Sequence, residues 1–260
     1  MALHRHALKL LVAAVMLGVS LSSSAAEPLV DTVAKIKHSV VGVGTFQYTR
    51  RPQSKFMGTG FVVGDGRHVI TNDHVVPKVV EEHEKEFLAI FTGHGTAAKA
   101  IKAEIVAQDP LHDLALLKFE GRKITPFKLA KDKTVKEGQE IAFTGFPIGM
   151  VIGLFPVTHR GIVSAITPVI EPVYHSSQLD PNRIRRLRDP YTVYQLDATA
   201  YPGNSGSPVY SQHSGRLLGV INKVFVKETK EMVIEKPSGI TYAIPSRYVR
   251  ELMEKSGVKP

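Results

Sequence analysis

From about residue 58 onward the chain alternates short apolar runs with clusters of Gly, Asp, Asn, Pro or Lys. The runs "GTGFVV", "RHVIT", "FLAIF", "LALLKF", "EIAFTGF", "RGIVSAI", "TVYQLDA", "GSPVY", "RLLGVINKVF" and "GITYAI" are rich in β-branched and aromatic residues. Such residues fit a pleated, half-buried surface, and their regular interruption by turn formers predicts an all-β barrel or sandwich. Phe61-Val62-Val63, Gly64-Asp65-Gly66 and His68-Val69-Ile70 read as a hairpin with a glycine-containing loop. Helical periodicity is confined to the ends. "PLVDTVAKIKHSV" (28–40) predicts a short helix. "PSRYVRELMEKSG" (245–257) predicts another, with Ser246 as cap, Val249, Leu252 and Met253 on one face and Gly257 as stop. Two stretches without periodicity, 171–190 and 48–58, are expected as loops, the longer one mobile or functional.

The first residues follow a different rule. Arg5 and Lys9 precede an apolar run from Leu10 to Leu21, and Ser24-Ala25-Ala26 supplies small residues for cleavage. This is the layout of a secretory signal, and the run falls short of the ~20 residues a membrane span needs. Residues 1–26 are therefore expected to be removed, leaving 27–260, a length that suffices for one large domain or two small ones, with no stable membrane span. Among the 260 residues there is no cysteine, which removes disulfides, thiol nucleophiles and thiolate metal sites from consideration.

Charge changes the picture little. The 33 Lys and Arg less Arg5 and Lys9 leave 31 against 24 Asp and Glu, a mature charge of +7. Apart from "RIRRLRD" (183–189) the basic residues are scattered, with no basic stripe interleaved with aromatics, so no nucleic-acid partner is expected. "HEKE" (83–86) lacks the second histidine of a zinc-protease helix, and no metal or other cofactor is expected.

Candidate chemistry centres on "DATAYPGNSGSPVY" (197–210). Its Gly203-Asn204-Ser205-Gly206 core reads either as a tight turn or as a nucleophile loop, in which glycine lets backbone N–H groups converge beside Ser205. A serine nucleophile needs a base and a group to orient the base. His74 ends the apolar run in "HVITNDHVV", and Asp113 precedes the run in "DPLHDLALLKF". Asp109, nearby, reads as strand punctuation. The order His, Asp, Ser, each at a strand boundary of an all-β chain, is that of double-barrel serine proteases.

On "GTGFVV…VITNDHVV", "DLALLKF", "GFPIG…RGIVSAI", "DATAYPGNSGSPV" and "GITYAIPSRYV", the chain resembles trypsin-like serine endopeptidases, especially the bacterial Deg/HtrA branch. The resemblance implies two six-stranded antiparallel β-barrels (about 30–135 and 136–245) and a C-terminal helix (about 246–256). It implies His74 as base, Asp113 as orienter and Ser205 as nucleophile, with the N–H groups of Gly203 and Ser205 as oxyanion hole. It further implies periplasmic or secreted location, polypeptide substrates and, through loops such as 171–190, a switchable oxyanion hole; homo-oligomer formation stays open. A rival reading from another class is a non-catalytic protease-fold protein serving as a binding or chaperone module.

Three departures from the branch stand out. Ser207 replaces a common glycine, as in glutamyl endopeptidases; the chain ends where relatives continue into PDZ domains; and Asp73 precedes the histidine. The base of the specificity pocket falls, by the resemblance, on Thr199, with Ile221, Asn222 and Lys223 on the opposite wall. Thr199 offers no carboxylate for a buried Lys or Arg, and the glutamyl-endopeptidase histidine is missing, so cleavage after small or medium aliphatic residues is expected.

Overall fold

A computed structural model describes residues 28–93, 95, 98–131, 135–147, 153–169, 190–222 and 240–260. The signal segment and residues 171–189 of the long loop lie outside the described residues, as does Lys223.

Twelve strands close into two antiparallel barrels of six. The first contains β1 (Val40–Gln47), β2 (Ser54–Val63), β3 (His68–Thr71), β4 (Glu86–Thr92), β5 (Lys99–Asp109) and β6 (Leu114–Phe119). Around its wall they run β1-β2-β3-β6-β5-β4. The second contains β7 (Glu140–Gly145), β8 (Val157–Pro168), β9 (Thr192–Asp197), β10 (Pro208–Ser211), β11 (Leu217–Ile221) and β12 (Ile240–Pro245). These run β10-β11-β12-β9-β8-β7, so both barrels close without an open edge.

Side-chain alternation explains how the barrels fill and join. On β2, Val62 enters a cluster with Val41, Val43, Val69, Ile90 and Leu117, all from the first barrel. Its neighbour Phe61 faces the other way, into a larger cluster with Leu116, Phe127, Tyr210, Leu217 and Val249. That larger cluster takes residues from both barrels and the last helix, so it is the seam between them. Ile141, Phe143, Val163, Leu196, Val209 and Ile221 fill the second barrel. Strands buried on both faces read as continuous apolar runs, which is why "LALLKF" and "RLLGVI" lack polar alternation.

The expected hairpin is present, Phe61 pairing with Ile70 and Val63 with His68. Three local expectations need correction. The first helix, α1 (Pro28–Ile36), ends in a 3₁₀ turn at 37–39, and Val40 already belongs to β1. The loop after β1 is shorter than 48–58, because β2 begins at Ser54. Ser246 does not cap the last helix, α2 (Ser246–Lys255); it is the first helical residue, and Pro245 takes the cap position. Val249, Leu252 and Met253 do form its buried face. Among the described residues, no helix is long and apolar enough to cross a membrane.

Candidate active site

β3 ends at Thr71, and the chain turns through a single 3₁₀ turn, Asp73–Val75, that carries His74. Asp113 sits in the turn immediately before β6 with a left-handed backbone, φ 52°. Its carboxylate grips His74 twice: Oδ1 accepts the backbone N–H at 3.0 Å, and Oδ2 lies 2.7 Å from ring Nδ1. Asn72 Nδ2 donates to the Asp113 carbonyl at 3.0 Å, which ties the two turns together. An ionised carboxylate only accepts, so Nδ1 carries a proton, and in the neutral ring the lone pair is on Nε2. The histidine side chain is 37% exposed and the aspartate 18%, so the imidazole is open to solvent while the carboxylate lies behind it.

Asp73 does not bond to the imidazole; its Oδ1 accepts from Gln108 Nε2 at 2.7 Å. Burial pushes the Asp73 carboxyl above its ordinary range; the Gln108 bond opposes this, while the negative charge of Asp113 reinforces it. Asp109 pairs with His112 rather than His74, at 2.6 Å.

Ser205 lies on the loop between β9 and β10. Asn204 N donates to Tyr201 O at 3.0 Å, Ser207 N to Asn204 O at 3.0 Å and Gly206 N to Ile221 O at 2.9 Å, folding the loop against β11. Gly203 has φ 99°, a conformation that a side chain would strain. Among the described residues the backbone N–H groups of Gly203 and Ser205 find no acceptor.

Gly58 and Thr59 on β2 bring the two halves together. Thr59 N donates to Ser205 O at 2.8 Å, and Thr59 Oγ1 donates to Gly203 O at 2.7 Å while accepting Phe146 N at 3.1 Å. A Cβ on Gly58 would come within 2.7 Å of a Val75 methyl and 3.0 Å of Ser205 O. The turn carrying His74 and the loop carrying Ser205 thus approach each other across a bare glycine. Thr59 escaped the sequence reading because a buried threonine carries no reactive chemistry; its flanking glycines in "MGTGF" were the available signal.

The expected pocket residues fall differently. Thr199 is half-buried on the segment after β9, which Thr241 Oγ1 holds by accepting from Ala200 N and donating to Ala198 O. Ile221, expected on a pocket wall, is fully buried in the second-barrel core, because alternation on β11 turns its side chain inward. Its backbone, not its side chain, meets the loop: Ile221 N donates to Ser207 O at 2.9 Å. Asn222 is nearly buried and donates its N–H to Tyr242 O. Ser207 is fully buried beneath the loop, in space that Gly145 leaves: a Cβ there would lie 2.0 Å from Ser207 Oγ. Among the described residues no three His, Asp or Glu side chains converge as a metal site would require.

A family profile described as "Trypsin-like peptidase domain" matches residues 58–220. The chain is 28% identical over 197 residues to a "Probable periplasmic serine endoprotease DegP-like" of Pseudomonas fluorescens, covering 75% of this chain and 34% of that protein. It is 27% identical over 194 residues to a like-named protein of Halomonas elongata, covering 74% and 33%. The chain thus spans about a third of the length of the curated relatives it matches. Among solved structures, the HtrA-type protease AlgW with a tripeptide superposes with TM-score 0.64 at 22% identity, covering 87% of this chain and 62% of that one. The Rv3671c protease from M. tuberculosis, in its active form, gives 0.63 at 23% identity, covering 88% and 85%. At these identities the structural likeness speaks to the fold.

Proposed function

Since the chain belongs to the family of trypsin-like peptidase domains, we propose that it is an exported serine endopeptidase in which His74, Asp113 and Ser205 form the catalytic triad. The observation that carries the proposal is the two-point grip of Asp113 on His74, which leaves Nε2 as the free basic atom of the ring. In this reading Ser205 Oγ attacks the scissile carbonyl while its proton passes to His74 Nε2. In the same reading the tetrahedral oxyanion accepts hydrogen bonds from the N–H groups of Gly203 and Ser205. His74 then gives its proton to the leaving amine, and an acyl group remains on Ser205. Water, deprotonated by the same base, releases the acyl group as the new C-terminal acid.

Asp113 serves by holding the ring and by stabilising the imidazolium that forms. The adjacent Asp73 bonds to Gln108 and not to the imidazole, so it acts on the pair through its charge alone. Export is supported by the Arg5–Ala26 signal pattern and by the periplasmic names of the DegP-like relatives. The substrates proposed are unfolded polypeptides, cut after small or medium aliphatic residues, with half-buried Thr199 at the pocket base. The exposed Asp197 lies at the end of β9, two residues before Thr199.

Unfolded casein tests the proposal. Wild-type protein is expected to cleave it, and Ser205→Ala or His74→Ala to lose nearly all turnover, on the order of 10⁶ in kcat. Cleavage that survives Ser205→Ala would contradict the triad. A folded wild type that binds casein without cutting it would favour a non-catalytic binding module instead.

A further inference from the structure

The turn that delivers Asp113 carries a second His–Asp pair. Asp109, the last residue of β5, accepts the His112 backbone N–H on Oδ1 at 3.2 Å and faces His112 Nδ1 with Oδ2 at 2.6 Å. This repeats, within one turn, the grip of Asp113 on His74. Here, though, the histidine is shielded: its side chain is 13% exposed against 37% for His74. The His112 ring stacks on Tyr248 of α2 at 3.9 Å and meets Tyr191 edge-on at 4.8 Å. The Arg247 guanidinium covers the Tyr248 ring at 4.6 Å and donates to its hydroxyl at 2.7 Å. Burial would raise the Asp109 carboxyl, but the donors and charge of His112 outweigh it and hold the group below its ordinary range.

The next residue along the chain is Asp113, whose φ of 52° is costly for a residue with a side chain. Such a conformation persists where surrounding contacts over-determine it. Asn72 holds the carbonyl side of Asp113. On the amide side, the restraint is His112.

We propose that His112, gripped by Asp109 and clamped between Tyr248 and Tyr191, is a positioning residue that sets the Asp113 backbone and, through it, the His74 ring. The C-terminal helix is then part of the support of the active site. This rests on the triad reading above. His112 touches no reacting atom; its effect passes through the placement of a carboxylate, and misplacement of a catalytic group by about 1 Å can cost as much as ~10²-fold.

The test compares His112→Ala, His112→Asn and Tyr248→Leu in kcat, KM and the low-field proton resonance of the His74 Nδ1–H bond to Asp113. Asparagine keeps a donor where Nδ1 stood and so keeps the bond to Asp109. His112→Ala is expected to lose about tenfold or more in kcat, with KM unchanged and the low-field resonance shifted or broadened. His112→Asn is expected to recover most of both. Tyr248→Leu, which leaves Asp109 and His112 intact, is expected to give a weaker form of the same signature, and it carries the test if His112→Ala does not fold. A folded His112→Ala with wild-type kcat and an unmoved resonance overturns the proposal, because a merely structural residue would lower the melting temperature alone. Ser205→Ala in the same assay separates the two readings. Activity surviving there contradicts the triad; activity lost there but intact in His112→Ala contradicts only the positioning role.

Discussion

Asp113 and Lys85 are the two described residues other than glycine with a left-handed backbone. For Asp113 that conformation has a use: it turns both carboxylate oxygens toward His74, one for the ring and one for the backbone. Aspartate and asparagine tolerate this region better than most residues, so Asp113→Asn should fold normally. Its amide group would donate where the carboxylate accepted, and the imidazole would settle in the tautomer with its proton on Nε2. A loss of about 10⁴ in kcat is expected, with the melting temperature close to wild type. A kcat within about tenfold of wild type would remove Asp113 from the role of orienter.

Thr59 connects elements rather than reacting. It sits on β2, is fully buried, and its hydroxyl serves Gly203 O and Phe146 N together. Thr59→Val keeps the shape and strands both partners, at roughly 1–3 kcal/mol for each buried group left unpaired. Urea unfolding should show that loss, and kcat should fall because the Ser205 loop loses its anchor. Unchanged stability would mean that the bridge between barrels lies elsewhere. The elements themselves were unevenly legible. Strands that bury both faces, such as β6 and β11, stand out as apolar runs. β5 does not: in "KAIKAEIVAQD" most side chains are exposed or only partly buried, so apolar and charged residues mix without strict alternation. β1 was obscured because "SVVGVG" follows a helical pattern and its glycines lower strand propensity. At the candidate site, the sequence singled out His74, Asp113 and Ser205 because the proposed chemistry needs those residue types. That the Ile221 side chain enters the second-barrel core was not legible, because a match of positions does not reveal which way a strand turns its side chains.

At the scale of the whole molecule, the seam between barrels, capped by α2, holds the two halves of the candidate site in register. Two partnered carboxylates bear on the response of the fold to acid. Burial would raise Glu86, but hydrogen bonds from Thr45, the Glu81 N–H and Arg50, with the charge of Arg50, hold it below its ordinary range. Asp109 is likewise lowered, by His112 against burial. Groups depressed on folding stabilise the native state above their unfolded pKa, near 4, and that contribution is lost as pH falls through their folded values. The melting temperature should therefore drop from about pH 4 downward, and Glu86→Gln should flatten that drop while lowering the neutral plateau. An unaltered slope in Glu86→Gln would show that other groups set it. The claim on which everything else depends is that this fold arms Ser205 as a nucleophile. Its most direct measurement is intact-mass and peptide analysis after exposure to a fluorophosphonate. The account predicts one adduct, on Ser205, lost in Ser205→Ala and strongly slowed in His74→Ala and Asp113→Asn. A folded wild-type protein that gains no adduct at Ser205, or labels equally fast without His74, would contradict it.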